Sequence, residues 1–288
     1  MKVKVKTPAS IGELIQGKIK GKEMLVSCPI NIYSIVEAEV CKGSASDLRN
    51  EKVYKAVEFF LKDYKIKSYE LSDIKISINS HIPRGKGMAS STADISGTLY
   101  ALSKLLSVPL KEEEIAAIAV KVEPTDSTIF SNLTLLDHLQ GSFMERIAPV
   151  LPIEFLLLEG KDTIDTLKFR KETNHIKLTC DLDKHYERLK EAIIYKDISL
   201  LGKICTESAF LNQKILYKPY LEELLNIVMD CGGAGLNIAH SGSVCGVIIR
   251  KETDRVKLVK RINEALREYF SKIYFVHSVK GGSIHWDI

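Results

Sequence analysis

The segment with the clearest chemical character is a glycine-rich run with three consecutive hydroxyl side chains ahead of a predicted helix. It reads Pro83-Arg-Gly-Lys-Gly-Met-Ala-Ser-Ser-Thr-Ala-Asp94 and leads into apolar residues over 95–106. Glycines allow successive backbone N–H groups to point at one spot, and a helix N-terminus adds about half a positive charge. A hydroxyl there can also bind the magnesium ion of a nucleotide. The run is typical of a phosphate-binding loop; the alternative is an ordinary helix start capped by Ser90 or Ser91.

Two familiar classes of phosphate-binding loop are excluded, because the chain lacks residues that their motifs require. A P-loop requires the pattern G-x-x-x-x-G-K-[ST], whereas Lys86 is followed here by Gly87. A dinucleotide-binding fold requires a third glycine where this chain has Ser90, and then a second strand with an acidic residue. Because two successive helices are predicted after the loop instead, hydride-transfer chemistry is disfavoured.

Strand and helix patterns alternate around this loop and must position it. Before the loop, β-branched and apolar spacing predicts strands over 3–6 and 30–40, a turn-rich segment over 7–12, a helix over 48–64 and a strand over 71–79. After it, the spacing predicts a helix over 110–122, strands over 143–147 and 153–158, helices over 181–195, 197–212 and 219–231, strands over 235–240 and 243–250, a helix over 253–270 and a strand over 273–279. The pattern predicts two tightly packed α+β domains, residues 1–158 and 159–288.

The composition restricts the class of protein and its partners. Of 288 residues, 45% are hydrophobic and 27% are charged, which excludes a disordered or fibrous chain. The formal net charge of +4 is too small and too evenly spread for a nucleic-acid-binding surface. The longest purely apolar stretch, 155–158, falls far short of the roughly 20 residues of a membrane span. With no export signal after Met1 and no C-x-x-C pair, we expect a cytoplasmic protein that binds neither nucleic acid nor membrane.

At the glycine-rich loop the chain resembles the GHMP kinase superfamily, whose members include galactokinase, homoserine kinase and mevalonate kinase. Their motif P-x-x-x-G-L-G-S-S-A-A corresponds to residues 83–93, with Met88, Ala89 and Thr92 replacing a leucine, a glycine and an alanine. A later glycine-rich motif is similar to residues 232–246, where the alternative is a β-hairpin with a tight Ser-Gly turn. The part over 240–246 departs from the uninterrupted small-residue turn of the superfamily, which argues against a direct phosphate contact from it.

Three shorter runs narrow the resemblance to the L-threonine kinase branch: residues 9–17, residues 87–94 and the run Glu123-Pro-Thr-Asp-Ser127. The resemblance covers the chain from Pro8 to about Gly246. It implies an ATP- and Mg²⁺-dependent kinase that makes O-phospho-L-threonine for the aminopropanol arm of cobalamin. It also implies an α+β, two-domain GHMP kinase fold: an N-terminal mixed α/β domain, a C-terminal ferredoxin-like α+β domain and an active site in the cleft between them. A homodimer is compatible with the resemblance.

The resemblance assigns the ATP-binding and metal-binding roles to particular residues. Those that would surround the ATP phosphates are Pro83, Gly85, Lys86, Gly87, Met88, Ala89, Ser90, Ser91 and Thr92. Ser90 and Glu123 would hold Mg²⁺, which prefers a few hard oxygen ligands. The alternative for Glu123 is a surface acid at a helix C-terminus, where the helix dipole disfavours a carboxylate unless a cation compensates it. Arg84 and Lys86 would either pair with phosphate or be solvated.

The resemblance also places the acceptor pocket. Ser10, Gly12, Glu13 and Gln16 would line it, with Glu13 binding the substrate ammonium and Gln16 the substrate carboxylate; the alternative is a surface hairpin loop. Asp126 is the first candidate for a base that contacts the acceptor hydroxyl, and Asp137 is the second. Homoserine kinase lacks such a base, and either aspartate would otherwise serve to form a turn. His138 and His240 lie in strand-like segments and are interpreted as structural.

Two other functions are consistent with these residues. In the first, the protein is a kinase of the same fold whose acceptor is homoserine or another small alcohol. In the second, it is a non-catalytic nucleotide or metabolite sensor that retains the pocket. The presence of the loop serines and of Glu123 argues against the sensor, because a sensor needs no magnesium-bound chemistry.

Overall fold

A ten-stranded antiparallel sheet runs through both halves of the chain in the computed structural model, which describes residues 2–41, 50–164 and 181–286. The strands are β1 (Lys2–Ile19), β2 (Lys22–Val40), β3 (Ile74–Ser80), β4 (Asn132–Asp137), β5 (Met144–Pro149), β6 (Glu154–Gly160), β7 (Gly235–Ile238), β8 (Val244–Ile248), β9 (Phe270–His277) and β10 (Ile284–His285). The helices are α1 (Glu51–Asp63), α2 (Ser90–Leu105), α3 (Glu112–Val122), α4 (Asp183–Ile194), α5 (Ile198–Asn212), α6 (Leu221–Asp230) and α7 (Arg255–Leu266). The predicted α+β class is confirmed, and positions 48–49 of the predicted first helix lie outside the described residues.

The N-terminal lobe comprises β1 to β5 with α1 to α3. Strands β1 and β2 pair along almost their whole length, and β2 also pairs with β3 and β4. Helix α1 begins at the cap Asn50, whose side chain accepts a hydrogen bond from the Val53 N–H, and it buries one apolar face as predicted. Helix α2 is buried along most of its length, so that the lobe encloses it.

Strand β1 differs from the prediction in the segment expected to be a turn-rich loop. It continues through residues 7–12, with register shifts against β2 between Pro8 and Ala9, between Ser10 and Glu13, and between Glu13 and Ile15. A β-bulge bends a strand and re-aims its side chains, and such bulges are frequent beside active sites. The alternative of a surface hairpin loop is wrong, because Ser10 and Glu13 are buried.

The C-terminal lobe has the ferredoxin-like arrangement that the resemblance implied. Its strands lie in the order β7-β8-β6-β9, all antiparallel, and the chain passes through helices between β6 and β7 and between β8 and β9. Because β6 (Glu154–Gly160) pairs with β8 and β9, the expected boundary at 158/159 falls inside β6. A division before Glu154 matches the pairing better. The tail also returns to the N-terminal lobe, where β10 pairs with β1.

One hydrophobic cluster joins the two lobes. It contains Leu14 of β1, Phe155 of β6, Leu189 of α4 and Leu201 of α5, all fully buried. The sheet is continuous across the junction through the pairing of Glu13 in β1 with Ile238 in β7. The residues flanking this pair are therefore held by both lobes. Within the described ranges, no helix is long and apolar enough to cross a membrane.

Candidate active site

The glycine-rich loop adopts a backbone that turns repeatedly into the left-handed region. Gly85, Gly87 and Ala89 have φ of 69°, 77° and 59°. Ala89 occupies the N-cap position of α2 and supplies no side-chain hydrogen bond, so the alternative of a serine cap is wrong. Ser90 and Ser91 lie inside the first turn, where helical N–H groups have no acceptor within the helix. The loop therefore presents hydroxyl and N–H donors together, which suits an anion.

This loop borders a cleft that brings most of the predicted site residues together. The predicted residues that line it are Glu13, Gln16, Gly85, Gly87, Met88, Ala89, Ser90, Ser91, Thr92, Glu123 and Asp126. The cleft is also lined by Leu25, Lys52, Pro124, Thr125, His138 and Ser241. The predicted residues that do not line it are Ser10, Gly12, Pro83, Lys86 and Asp137.

Glu123 lies at the end of α3 and faces the first turn of α2. Its Oε1 accepts a short hydrogen bond from the Ser91 hydroxyl, and its Oε2 lies 2.6 Å from Lys52 Nζ. The Glu123 side chain is only 8% exposed, so the alternative of a surface acid is wrong. Lys52 is the compensating cation that a carboxylate at a helix C-terminus requires.

The hydroxyl that contacts Glu123 belongs to Ser91, whereas the resemblance named Ser90 and Glu123 as the residues that would hold Mg²⁺. Successive helical residues point about 100° apart, so only one of two neighbouring serines can face the end of α3. A hydroxyl and a carboxylate in contact at the cleft are hard oxygen donors of the kind that Mg²⁺ binds. In the described part of the chain, no three His, Cys, Asp or Glu side chains gather as a metal site. One hydroxyl and one carboxylate are few ligands, which suits Mg²⁺ where phosphate and water complete its shell.

A pair of carboxyl groups lies at another part of the cleft. Asp126 lies beside the Glu13 carboxyl group, and its two oxygens accept from Ser27 Oγ and Thr92 Oγ1, each at 3.2 Å. Burial, reinforced by the neighbouring Glu13 carboxylate, raises the pKa of Asp126 from 3.8 to about 7. Thr92 also accepts from the Asp126 N–H at 3.2 Å, so α2 positions this carboxyl directly. Glu13 and Asp126 thus form an acidic end of the cleft that holds a proton near neutral pH.

The Lys86 side chain has a structural role in place of the expected contact with phosphate. It is 8% exposed, and its ammonium donates to the carbonyls of Gly160, Lys161 and Asp162 at 2.7, 3.0 and 2.8 Å. An ammonium has three N–H donors, and all three are used here. Lys86 therefore ties the loop to the C-terminal lobe. Arg84 is exposed and lies 3.8 Å from Asp94.

Asp137, the second candidate for a base, forms a turn. Its Oδ1 accepts from the backbone N–H groups of Leu139 and Gln140, and its Oδ2 accepts from the Ser142 hydroxyl at 2.5 Å. Hydrogen bonds from Ser142 and from the turn backbone outweigh burial and lower its pKa. An aspartate of this kind stabilises the β4–β5 turn and lies away from the cleft.

Ser10 and Gly12 shape the acceptor segment and do not face the cleft. The Ser10 hydroxyl donates to the Gly12 carbonyl at 2.9 Å and accepts from the Gly12 N–H at 3.0 Å. Gly12 has φ of 106°, and a Cβ at this position would lie 2.6 Å from the backbone of Ile238. These two residues set the bend that turns Glu13 toward the cleft.

The second glycine-rich motif is a β-hairpin that supports the phosphate loop. The N–H groups of Ser243 and Val244 donate to the Lys86 carbonyl, both at 3.1 Å. A Cβ at Gly87 would lie 2.4 Å from the Cβ of Ala239 and 2.9 Å from Gly242 Cα. The second glycine-rich motif therefore forms the β-hairpin that was its alternative interpretation. Ser241 is the residue of this hairpin that lines the cleft.

Among the polar residues that sequence reasoning did not assign to the site are Lys52, which contacts Glu123, and Ser27, which contacts Asp126. Lys52 lies on the polar face of an amphipathic helix, where lysines are common, and the requirement for a cation near Glu123 was its only signal. Ser27 lies within a long strand and has no motif around it.

Known proteins resemble this chain along most of its length. The family models for the GHMP kinases N terminal domain and the GHMP kinases C terminal match residues 51–131 and 189–268. An L-threonine kinase from Salmonella typhimurium is 38% identical over 96% of this chain and 93% of its own length. An L-threonine kinase from Citrobacter freundii is 36% identical over 96% of both chains. A solved structure of homoserine kinase from Cytophaga hutchinsonii shares the fold, with a TM-score of 0.72 at 14% identity over 99% of this chain and 97% of that one.

Proposed function

This chain belongs to the GHMP kinase family, and from that membership we propose that it transfers the γ-phosphoryl group of ATP to the side-chain hydroxyl of L-threonine. The observation that carries the proposal is the division of one cleft into two chemically different ends. One end has the glycine loop, the start of α2 and the Ser91–Glu123 contact. The other has the Glu13–Asp126 carboxyl pair beside Gln16. The two curated relatives named L-threonine kinase support the choice of acceptor.

The first end suits the triphosphate of ATP. The first-turn N–H groups of α2 and the Ser90 hydroxyl are donors for phosphate oxygens. Ser91 and Glu123 would hold the magnesium ion, which when bound neutralises phosphate charge. Lys52 orients the Glu123 carboxylate from the side of α1 through a contact of 2.6 Å. Phosphoryl transfer needs little covalent work from a protein, so this positioning is the main contribution of these residues.

The second end suits a small amino acid. The Glu13 carboxylate would pair with the substrate ammonium, and Gln16 would donate to the substrate carboxylate. An ammonium placed beside Glu13 adds positive charge next to Asp126, and a nearby positive charge lowers the pKa of a carboxyl group. Substrate binding would therefore release the proton from Asp126 and free its carboxylate to act as a base.

The transfer step then needs no reagent other than ATP and threonine. The threonine hydroxyl oxygen forms a bond to the γ-phosphorus while the bond from that phosphorus to the bridging oxygen breaks. ADP leaves, and the hydroxyl proton passes to the Asp126 carboxylate. The product is O-phospho-L-threonine.

The proposal is tested by ADP release from ATP and Mg²⁺, measured with purified protein in the presence and absence of L-threonine. Phosphorus NMR then identifies the product. We expect threonine-dependent ADP release with a new phosphomonoester signal. Turnover of homoserine but not of threonine would move the proposal to a different acceptor. ATP binding without turnover of any small alcohol would indicate the sensor.

The role of Asp126 is tested separately with Asp126→Asn, which keeps the shape of the side chain and removes its basicity. We expect loss of turnover with ATP binding retained. Turnover close to wild type would show that the reaction needs no base and that charge stabilisation suffices.

A further inference from the structure

We propose that His240 is a positioning residue for the acceptor, which fixes the Glu13 carboxylate from the opposite lobe; the inference rests on the proposed function. Glu13 Oε2 accepts from the His240 backbone N–H at 2.8 Å and lies 3.2 Å from the ring Nδ1. Both side chains are nearly enclosed, with 7% of Glu13 and 4% of His240 exposed. Glu13 belongs to β1, whereas His240 follows β7 in the hairpin that supports the phosphate loop.

The hydrogen-bond chain beyond His240 assigns the state of its ring. A carboxylate oxygen only accepts, so Nδ1 carries the hydrogen that is donated to Glu13. In the neutral ring Nε2 is then the acceptor, and the Ser208 hydroxyl at 3.2 Å donates to it. Ser208 Oγ in turn accepts from the Gln16 N–H at 3.4 Å. Each group in the chain has one consistent role, and the chain ends on the two residues proposed to bind the ammonium and the carboxylate of the amino acid.

The hairpin turn that carries His240 is anchored independently of its ring. Asn212 Nδ2 donates to the His240 carbonyl at 3.2 Å, and Lys218 Nζ donates to the Ala239 carbonyl at 3.3 Å. Asn212 and Lys218 are 1% and 4% exposed. Because these bonds hold the backbone of the turn, replacing the ring leaves the backbone N–H of residue 240 in place. The ring therefore contributes a second, separable hydrogen bond to Glu13.

The ring bond matters because Glu13 lies beside another carboxyl group. The Asp126 carboxyl group lies beside Glu13 in the cleft, and two neighbouring carboxylates repel each other when both are ionised. Two donors on Oε2 stabilise the negative charge on Glu13 and fix its orientation. Since both donors bind Oε2, the hairpin leaves Oε1 available to the cleft that Glu13 lines. His240 thus holds the Glu13 carboxylate in the orientation that an ammonium group needs.

Two substitutions separate the ring nitrogens. In His240→Asn the amide nitrogen can take the place of Nδ1, whereas in His240→Gln it takes the place of Nε2. Steady-state kinetics of both variants give KM for L-threonine and for ATP separately. We expect His240→Gln to raise KM for threonine by about 10- to 100-fold, the range for losing one hydrogen bond to a charged group, with KM for ATP within about 2-fold of wild type. We expect His240→Asn to stay within about 3-fold for both substrates.

His277→Gln is the matched control, because His277 is an exposed histidine of β9, and both of its KM values should equal those of wild type. Should His240→Gln fail to fold, His240→Ala removes the same Nδ1 donor and should still raise KM for threonine selectively. Equal KM values for His240→Asn and His240→Gln would overturn the inference, as would a change in KM for ATP as large as that for threonine. Wild-type protein that turns over no threonine would overturn the proposed function and this inference with it.

Discussion

Glu123 binds a hydroxyl through one oxygen and a lysine through the other, and this division predicts how substitutions around it differ. The Ser91 hydroxyl contacts Oε1, and Lys52 Nζ lies 2.6 Å from Oε2. Removing one contact made in the transition state commonly lowers kcat by about 100-fold or more. We expect that loss for Glu123→Ala and for Ser91→Ala, measured as kcat at saturating ATP and Mg²⁺. Ser90→Ala, the neighbouring control, should lose clearly less. A larger loss for Ser90→Ala than for Ser91→Ala would reinstate Ser90 as the ligand.

Asp126 gives the folded protein a pH dependence whose direction follows from its pKa. The folded-state pKa is raised from 3.8 to about 7, so between these values the folded chain keeps a proton that the unfolded chain releases. The stability contributed by this group is complete below pH 4 and is lost as the pH rises toward 7. The Asp126→Asn variant has no carboxyl group to ionise at this position, so it does not lose this stability as the pH rises. We expect its free energy of unfolding in urea to exceed that of wild type by about 2 to 4 kcal/mol at pH 8.

The same comparison at lower pH is the control for Asp126. The advantage of Asp126→Asn should shrink steadily and disappear near pH 3, below the ordinary aspartate pKa of 3.8, where both side chains are neutral in both states. An advantage that is equal at pH 8 and pH 3 would mean that packing, and not ionisation, separates the two proteins. Because an asparagine amide cannot act as a base, the variant is expected to be more stable and less active, as is common at strained active sites.

The glycine-rich loop is held against the C-terminal lobe by Lys86. We therefore expect replacement of Lys86 to lower the stability of the protein. Its ammonium donates to three consecutive carbonyls over 160–162 and is nearly enclosed. Lys86→Met removes these three bonds, and the Asp162 carbonyl keeps another side-chain donor, the Ser243 hydroxyl at 2.6 Å. We expect the free energy of unfolding to fall by about 2 to 4 kcal/mol.

Arg84→Met is the matched control for Lys86, because it removes an exposed cation from the same loop. It should change the free energy of unfolding by less than about 0.5 kcal/mol. Unchanged stability of Lys86→Met, together with a large rise in KM for ATP, would instead support an ammonium that reaches the phosphates.

The sequence predicted helices and strands well where one periodicity fills an element, and less well where tertiary contacts decide. The spacing of Val53, Phe60 and their neighbours predicted α1, because one face of that helix is buried. The bulged centre of β1 was predicted as a loop, because proline and glycine, here Pro8 and Gly12, favour turns when only the neighbouring sequence is considered. Their conformation is set by β2 and β7, which local patterns do not contain.

For the candidate site, too, local sequence patterns predicted some features and not others. The glycine motif located the loop at the start of α2, and the Glu123-Pro-Thr-Asp-Ser127 run located two acids of the cleft, Glu123 and Asp126, because these residues are close in sequence to the elements that carry them. The structural role of Lys86, the pairing of Ser91 with Glu123 and the contact of His240 with Glu13 join distant segments. No spacing along the chain specifies such contacts.

Over the whole molecule, the two lobes behave as one packed unit because a single cluster and one sheet cross between them. The crossing point is the pairing of Glu13 with Ile238, and Gly12 allows the strands to approach there. The site residues on β1 therefore depend on the junction between the lobes. This dependence predicts that a change at Gly12 affects both the stability of the protein and its acceptor site.

Gly12→Ala tests that dependence, and Gly21→Ala is its control. Both glycines have positive φ, 106° and 74°, but a Cβ at Gly12 would lie 2.6 Å from Ile238 backbone atoms, whereas Gly21 has nothing within 4 Å. Gly21→Ala should cost about 1 kcal/mol of unfolding free energy, the penalty for a left-handed alanine. Gly12→Ala should cost more than about 3 kcal/mol and raise KM for threonine, because the strands must separate beside Glu13. Urea unfolding followed by circular dichroism measures both; equal losses for the two variants would show that the close approach at Gly12 does not stabilise the junction.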